Sequence, residues 1–267
     1  MIRLQGASVR RGGRMLVQDI DLEIGAGRVT VLIGPNGAGK STLIRLLSGE
    51  VKPSAGTVSL DGRPLAAFSP RELAMRRAVL GQANETTFGF SVADLAGLSL
   101  RLLPTRLIRA ERAALVARAL DRVGLAAFAD RSIVHLSGGE KQRAHLARVL
   151  VQLWASEALH GPGLLLLDEP IAAQDLAHQL ELLQVARRHA QAGATVVLVL
   201  HDLNWAAGVA DRILAMRQGR IHADGPPPAV LTRALLAEVF DIDLEPGAVP
   251  APGEPFILPQ LARARRH

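Results

Sequence analysis

Nine consecutive residues carry the clearest chemistry in this chain: Gly34-Pro35-Asn36-Gly37-Ala38-Gly39-Lys40-Ser41-Thr42. They fit the phosphate-binding pattern G-x-x-x-x-G-K-[ST]. Glycines let the backbone curl until successive N–H groups face phosphate oxygens. Lys40 supplies a positive charge for the outer phosphates, and the Ser41 hydroxyl is placed to hold Mg²⁺. Such a loop needs a strand before it and a helix after it. Val29-Thr30-Val31-Leu32-Ile33 is β-branched and apolar, as a buried strand requires, and Ser41 to Leu47 suits a helix whose positive dipole end meets the same anion. The expectation is a bound nucleotide.

Two further segments bear on how that nucleotide is used. Leu164-Leu165-Leu166-Leu167-Asp168-Glu169-Pro170 is a short apolar run ending in two carboxylates, and reads as a central parallel strand. Open α/β sheets bind ligands at the carboxyl ends of such strands. One acid, Asp168, suits Mg²⁺, directly or through water, and the next, Glu169, can polarise an attacking water. Leu136-Ser137-Gly138-Gly139-Glu140-Lys141-Gln142-Arg143 reads as a second anion site, with Ser137 as helix N-cap and two glycines allowing close backbone approach.

Leu-Ser-Gly-Gly-Glu, between a phosphate loop and an acidic strand, resembles the signature of ATP-binding cassette (ABC) ATPases. The resemblance covers residues 1–240. It implies ATP and Mg²⁺ as cofactors, with Asp168, Ser41 and Gln82 at the metal. It also implies two cassettes paired head to tail, so that Ser137, Gly138 and Gly139 close over the partner's ATP. Gln82 resembles the glutamine that senses metal and γ-phosphate and touches the membrane partner. Asp175 resembles the aspartate of the loop that crosses the pair. His201, after Val196-Val197-Leu198-Val199-Leu200, resembles the switch histidine at the γ-phosphate. The implied catalytic set is Glu169, His201 and Gln82.

Two departures stand out. The family places an aromatic residue near position 11 to stack on adenine. This chain has no Tyr, and Arg10-Arg11-Gly12-Gly13 occupies that place, leaving the Arg11 plane as the candidate. The loop that usually reads Ser-Ala-Leu-Asp is here Ala172-Ala173-Gln174-Asp175 after Ile171, which removes a hydroxyl from the cassette interface. Neither change touches Lys40, Ser41, Asp168, Glu169 or His201, so hydrolysis is expected.

Composition limits the alternatives. The chain has 267 residues, 49% of them hydrophobic, a net charge of +6 and no cysteine, which excludes a disulfide framework or a thiolate metal site. No apolar run approaches the ~20 residues of a bilayer span, and the opening residues turn polar at once, unlike a signal peptide. Almost all its basic residues are Arg. Aromatic residues make up only 3%, so base stacking is poorly served and no nucleic-acid partner is expected.

The predicted fold is α/β: a mostly parallel core sheet, an N-terminal antiparallel β-subdomain within residues 2–33, and a helical subdomain inserted at about 91–135. Ser91-Val92-Ala93-Asp94 resembles a capping box at the insert's start. Phe88-Gly89-Phe90 just before it is either core or a lining of the contact with membrane helices. A helix from Leu176 to Gln191, a hairpin at Arg217-Gln218-Gly219-Arg220, and short helices at Ala229–Leu231 and Leu235–Phe240 should follow. Residues 241–267, rich in Pro and Gly with a basic end, read as a largely irregular solvated tail.

A narrower resemblance lies around the signature helix. Gln152-Leu153-Trp154, the spacer Ala155 to Gly163, Asp175-Leu176-Ala177-His178-Gln179 and His201-Asp202-Leu203-Asn204-Trp205 look like the ATP-binding subunit of bacterial hemin importers, within the iron-chelate and vitamin B12 importer class. That implies a peripheral subunit on the cytoplasmic face of the inner membrane. Its partners would be two copies of a polytopic permease and, indirectly, a periplasmic heme-binding protein. A siderophore or cobalamin importer is the runner-up, and a soluble non-transport ABC ATPase the more distant alternative.

Overall fold

A computed structural model describes residues 1–81, 89–101, 103, 107–172, 174–251 and 254–262. Gln82, Phe88 and Ala173 lie outside the described residues.

The alternating N-terminal runs form β1 (Ile2–Arg11) and β2 (Arg14–Ile24), an antiparallel pair that turns at Gly12-Gly13. With β4 (Ala55–Leu60) and β5 (Arg63–Pro64) they make a four-stranded antiparallel sheet in the order β2-β1-β4-β5. The second sheet has six strands: β3 (Val29–Ile33), β6 (Arg77–Leu80), β7 (Leu164–Asp168), β8 (Thr195–Val199), β9 (Arg212–Arg217) and β10 (Arg220–Gly225). Their order is β10-β9-β3-β8-β7-β6, and every pairing is parallel except the β9–β10 hairpin.

The core strands are buried on both faces, which is why they read as unbroken apolar runs. Their side chains alternate between two cores, as the period of two demands. Val29, Val31, Ile33, Leu165, Leu167, Val196 and Leu198 face the helices of the insert and its neighbours. Leu32, Leu164, Leu166, Val197 and Val199 face the antiparallel sheet and α1 (Lys40–Leu47).

Between β5 and β6 lies α2 (Pro70–Ala74). The insert contributes α3 (Val92–Gly97) and α4 (Arg109–Arg122), with short 3₁₀ turns between and after them. Ser91 caps α3 by accepting from the Asp94 N–H at 3.0 Å, as its sequence indicates. The signature helix α5 runs from Gly138 to His160. The expected spacer after Trp154 is therefore mostly helix: Ala155 to His160 form its last turns, because Ala, Glu and Leu are strong helix formers there. Gly161, at φ 76°, ends it.

Next come α6 (Leu176–Gln191), α7 (Leu203–Val209), α8 (Pro227–Val230) and α9 (Arg233–Phe240). The tail is irregular except for a 3₁₀ turn at Pro259–Leu261. That turn is not free in solvent. Gln260 lies so close to α7 that a Cβ built on Gly208 would sit 2.5 Å from the Gln260 Cβ, and Ala262 packs on the core. No helix among the described residues is long and apolar enough to cross a membrane.

Candidate active site

Strand order brings the chemistry together. β8 lies between β3 and β7, so the loop after β3, His201 after β8 and the acids ending β7 emerge side by side at the carboxyl ends of parallel strands. The result is a cleft of about 610 Å³ lined by Leu16, Asn36 to Thr42, Glu169 and His201.

The phosphate loop has its shape because side chains are excluded. A Cβ on Gly34 would stand 2.2 Å from the Met216 carbonyl, and one on Gly39 2.5 Å from the Leu16 carbonyl. Lys40 is 5% exposed, and its Nζ donates to the Gly34 and Pro35 carbonyls at 2.7 and 2.9 Å. Burial lowers its pKa from the ordinary lysine value, and the charges of Glu169 and Asp168 oppose that shift.

Asp168 is 4% exposed. Burial raises its pKa above the ordinary carboxylate value, a hydrogen bond from Ser41 lowers it, and the neighbouring Glu169 charge raises it further. Its Oδ1 is buried with no hydrogen-bond partner. An unsatisfied carboxylate oxygen beside a hydroxyl, next to a phosphate loop, is the oxygen donor set that suits Mg²⁺. Among the described residues no group of three His, Cys, Asp or Glu side chains could cage a metal alone. The donors therefore fit an ion that shares its coordination with phosphate oxygens and water.

Glu169 occupies the left-handed region at φ 52°, uncommon for a residue with a side chain. Its carboxylate accepts a 2.6 Å hydrogen bond from His201 Nε2. Its backbone carbonyl accepts from the Gln142 side chain at 3.0 Å and from the Ala172 N–H at 3.3 Å. Gln142 lies in the first turns of α5, so the signature helix grips the strand end that carries Glu169. Gln142 follows the Leu-Ser-Gly-Gly-Glu motif without being one of its members. The signal was available, because Gln142 sits on the same helical stripe as buried Leu146, Val149, Leu150 and Leu153.

A second set of glutamines orders the altered loop. Gln174 donates to the Pro170 carbonyl at 3.0 Å. Gln179 donates to the carbonyls of Ile171 and Gln174, and accepts from Trp205 Nε1 at 2.9 Å. The loop is thus tied to α7, the helix that follows His201.

The other expected residues lie apart from the cleft. Ser137 is exposed at the start of α5 in a full capping box: its hydroxyl accepts from the Glu140 N–H, and Glu140 accepts from the Ser137 N–H at 2.7 Å. Gly138 and Gly139 sit in the same turn. Asp175 caps α6 by accepting from the His178 N–H at 3.0 Å, and its carboxylate meets His178 Nδ1 at 2.7 Å. Neither site is part of the cleft lining of its own chain. Arg11 is exposed at the β1–β2 turn and is not part of the cleft lining; Leu16 supplies the apolar wall from β2 instead.

A parallel sheet with a phosphate loop at its switch point, an acidic strand end, a histidine beside it and a capped signature helix define an ATP-binding cassette, and the family model "ABC transporter" matches residues 17–172. The chain belongs to the ABC transporter family. A protein of Rhodopseudomonas palustris named hemin import ATP-binding protein HmuV is 51% identical over 265 residues, covering 99% of this chain and 97% of that protein. One of the same name from Bradyrhizobium diazoefficiens is 47% identical, covering 99% and 96%. Among solved structures, the ATP-binding cassette MJ0796, a dimer in a post-hydrolysis state bound to ADP and Pi, superimposes with a TM-score of 0.74 at 24% identity, over 85% of this chain and 99% of that one.

Proposed function

We propose that this chain is the ATP-hydrolysing subunit of a bacterial hemin importer, working as a head-to-tail pair beneath two permease subunits at the cytoplasmic face of the inner membrane. The Glu169–His201 hydrogen bond beside the phosphate loop carries the catalytic part of this reading. The full-length likeness to proteins named for hemin import carries the cargo. A periplasmic heme-binding protein would deliver cargo to the permease without touching this chain.

The loop N–H groups and Lys40 hold the phosphates of ATP and offset the charge that develops on them. Asp168 and Ser41 would hold Mg²⁺, which neutralises the phosphate oxygens when bound. Glu169 accepts the proton of the attacking water as its oxygen bonds to the γ-phosphorus and the β–γ bridging bond breaks. His201, already donating to Glu169, fixes the carboxylate's aim and stands at the developing γ-phosphate charge. The Ser137-Gly138-Gly139 turn would cap the phosphates of a second chain, with Asp175 at the same interface, and Gln82 would respond to the metal and γ-phosphate. Leu16 provides apolar contact on the base side, and Arg11 is close in sequence to that wall.

The test is Glu169→Gln, measured with ATP and Mg²⁺. It should retain nucleotide, run as a dimer on size exclusion and turn over at least a hundredfold more slowly. Wild-type turnover would remove Glu169 as base, and a monomer when ATP-loaded would remove the paired site.

A further inference from the structure

A second cleft, of about 370 Å³, opens between α4, α5 and α6, away from the phosphate loop. Arg118 and Arg122 reach it from α4, Trp154 and Glu157 from α5, and Arg188 and His189 from α6. The Arg118 guanidinium stacks on the Trp154 ring at 4.2 Å. Trp154 Nε1 donates to His189 Nε2 at 3.3 Å, and His189 Nδ1 donates to Glu157 at 3.1 Å. This chain of contacts uses the cleft's one carboxylate. Among the described residues, Arg122 and Arg188 have no ion-pair partner within 4.0 Å.

Each unpaired arginine stands in the last turn of its helix, where the dipole favours a cation. That explains its place along the helix. It does not explain why three guanidinium groups from two helices converge on one cavity beside an oriented tryptophan. Like charges brought together repel, and an oxyanion bridging them reverses that cost. Guanidinium forks match the oxygens of carboxylates and phosphates. The cavity volume lies within the range of small-molecule sites.

We infer that this cleft is an anion site for a small molecule bearing two or more carboxylate or phosphoryl groups, held between Arg122 and Arg188 beside the Arg118–Trp154 stack. Binding would pin α4, in the helical insert, to α6, whose other end is capped by Asp175. The site is independent of the hydrolytic reading, and its test does not need ATP turnover.

The experiment titrates pyrophosphate and, separately, succinate into the full chain saturated with a non-hydrolysable ATP analogue and Mg²⁺, read by calorimetry. The double variant R122A/R188A is run in the same buffer. It shares the phosphate loop and the magnesium chelation, so both cancel in the comparison. The expected result is a saturable 1:1 isotherm for at least one probe, weakened at least tenfold in the double variant. Whichever probe binds separates a phosphoryl ligand from a dicarboxylate. The double variant should keep wild-type ATP affinity and thermal midpoint, since both side chains are exposed. Isotherms that match in the two proteins, or no saturation with either probe, overturn the assignment.

Discussion

Replacing Gln142 by Leu removes one hydrogen bond and leaves the phosphate loop untouched. The Gln142 side chain holds the Glu169 carbonyl at 3.0 Å, and Glu169 is kept at φ 52°. A left-handed backbone costs a residue with a Cβ roughly 1–2 kcal/mol, so the surrounding bonds must hold it there. A neutral side-chain hydrogen bond contributes a net ~1 kcal/mol. The carbonyl retains the Ala172 N–H, so the loss stays near that figure instead of the larger cost of a buried group left without a partner. At 1.36 kcal/mol per tenfold, kcat should fall about fivefold. KM for ATP should stay within twofold, because Gln142 is not part of the cleft lining. Gln142→Glu should fall further, since an ionised carboxylate cannot donate and would face the carbonyl oxygen. The assay is steady-state phosphate release by the full chain assembled with its permease. Unchanged kcat, or a KM rise that accounts for the whole effect, would refute the claim that Gln142 positions Glu169.

Other expectations follow from the same site. His201→Ala should lower kcat by about 100-fold while ATP binding survives, as seen by single-turnover and equilibrium binding measurements. Asp168 has its pKa raised, so the folded chain favours its protonated form; its stabilising effect is present at low pH and is lost as pH rises through the folded value. Metal binding needs the ionised form, so the Mg²⁺-dependent part of ATP affinity should fade on acidification while pH is still above the ordinary value of 3.8. Calorimetry with and without Mg²⁺ reads this, and Asp168→Asn should remove the share of the pH dependence that Asp168 contributes, leaving that of ATP's own phosphates. Gln152 is 9% exposed and donates to the Ala74 and Arg77 carbonyls at 2.9 and 3.0 Å. Gln152→Leu should cost ~1–3 kcal/mol in urea unfolding, with ATP affinity intact.

The parts of the fold governed by periodicity were readable from sequence. The apolar runs at 29–33, 164–167 and 196–200 read as buried strands, and the structure has strands at Val29–Ile33, Leu164–Asp168 and Thr195–Val199; α6 begins and ends where the Leu176–Gln191 pattern does. The glycine loop and the acidic strand end announced the cleft. Long-range approach was not readable. That Leu16, and not Arg11, lines the cleft depends on how Gly39 lets the loop rest against the β2 backbone. The Trp154 cleft needs three helices at once, and sequence shows each only by itself. The spacer Ala155 to Gly163 is mostly the end of α5, because a helix can outrun the motif it carries. Gln142, Gln152 and Gln179 were legible in principle, as polar positions on otherwise apolar stripes. The bonds they donate all go to backbone carbonyls, which leave no trace in side-chain patterns.

The close approach of Gln260 to Gly208 makes two distant positions answer to each other. While the Pro259–Leu261 turn is seated, alanine at 208 has nowhere to put its methyl group. Delete the turn, and the same alanine becomes harmless and favours the helix. Lineages that have shed or rebuilt their C-terminal extension should thus show larger residues at this place, whereas those that keep it should not. A chimera carrying one parent's α7 and another's terminus would expose the mismatch as a loss of solubility or yield, with every nucleotide-contacting residue unaltered.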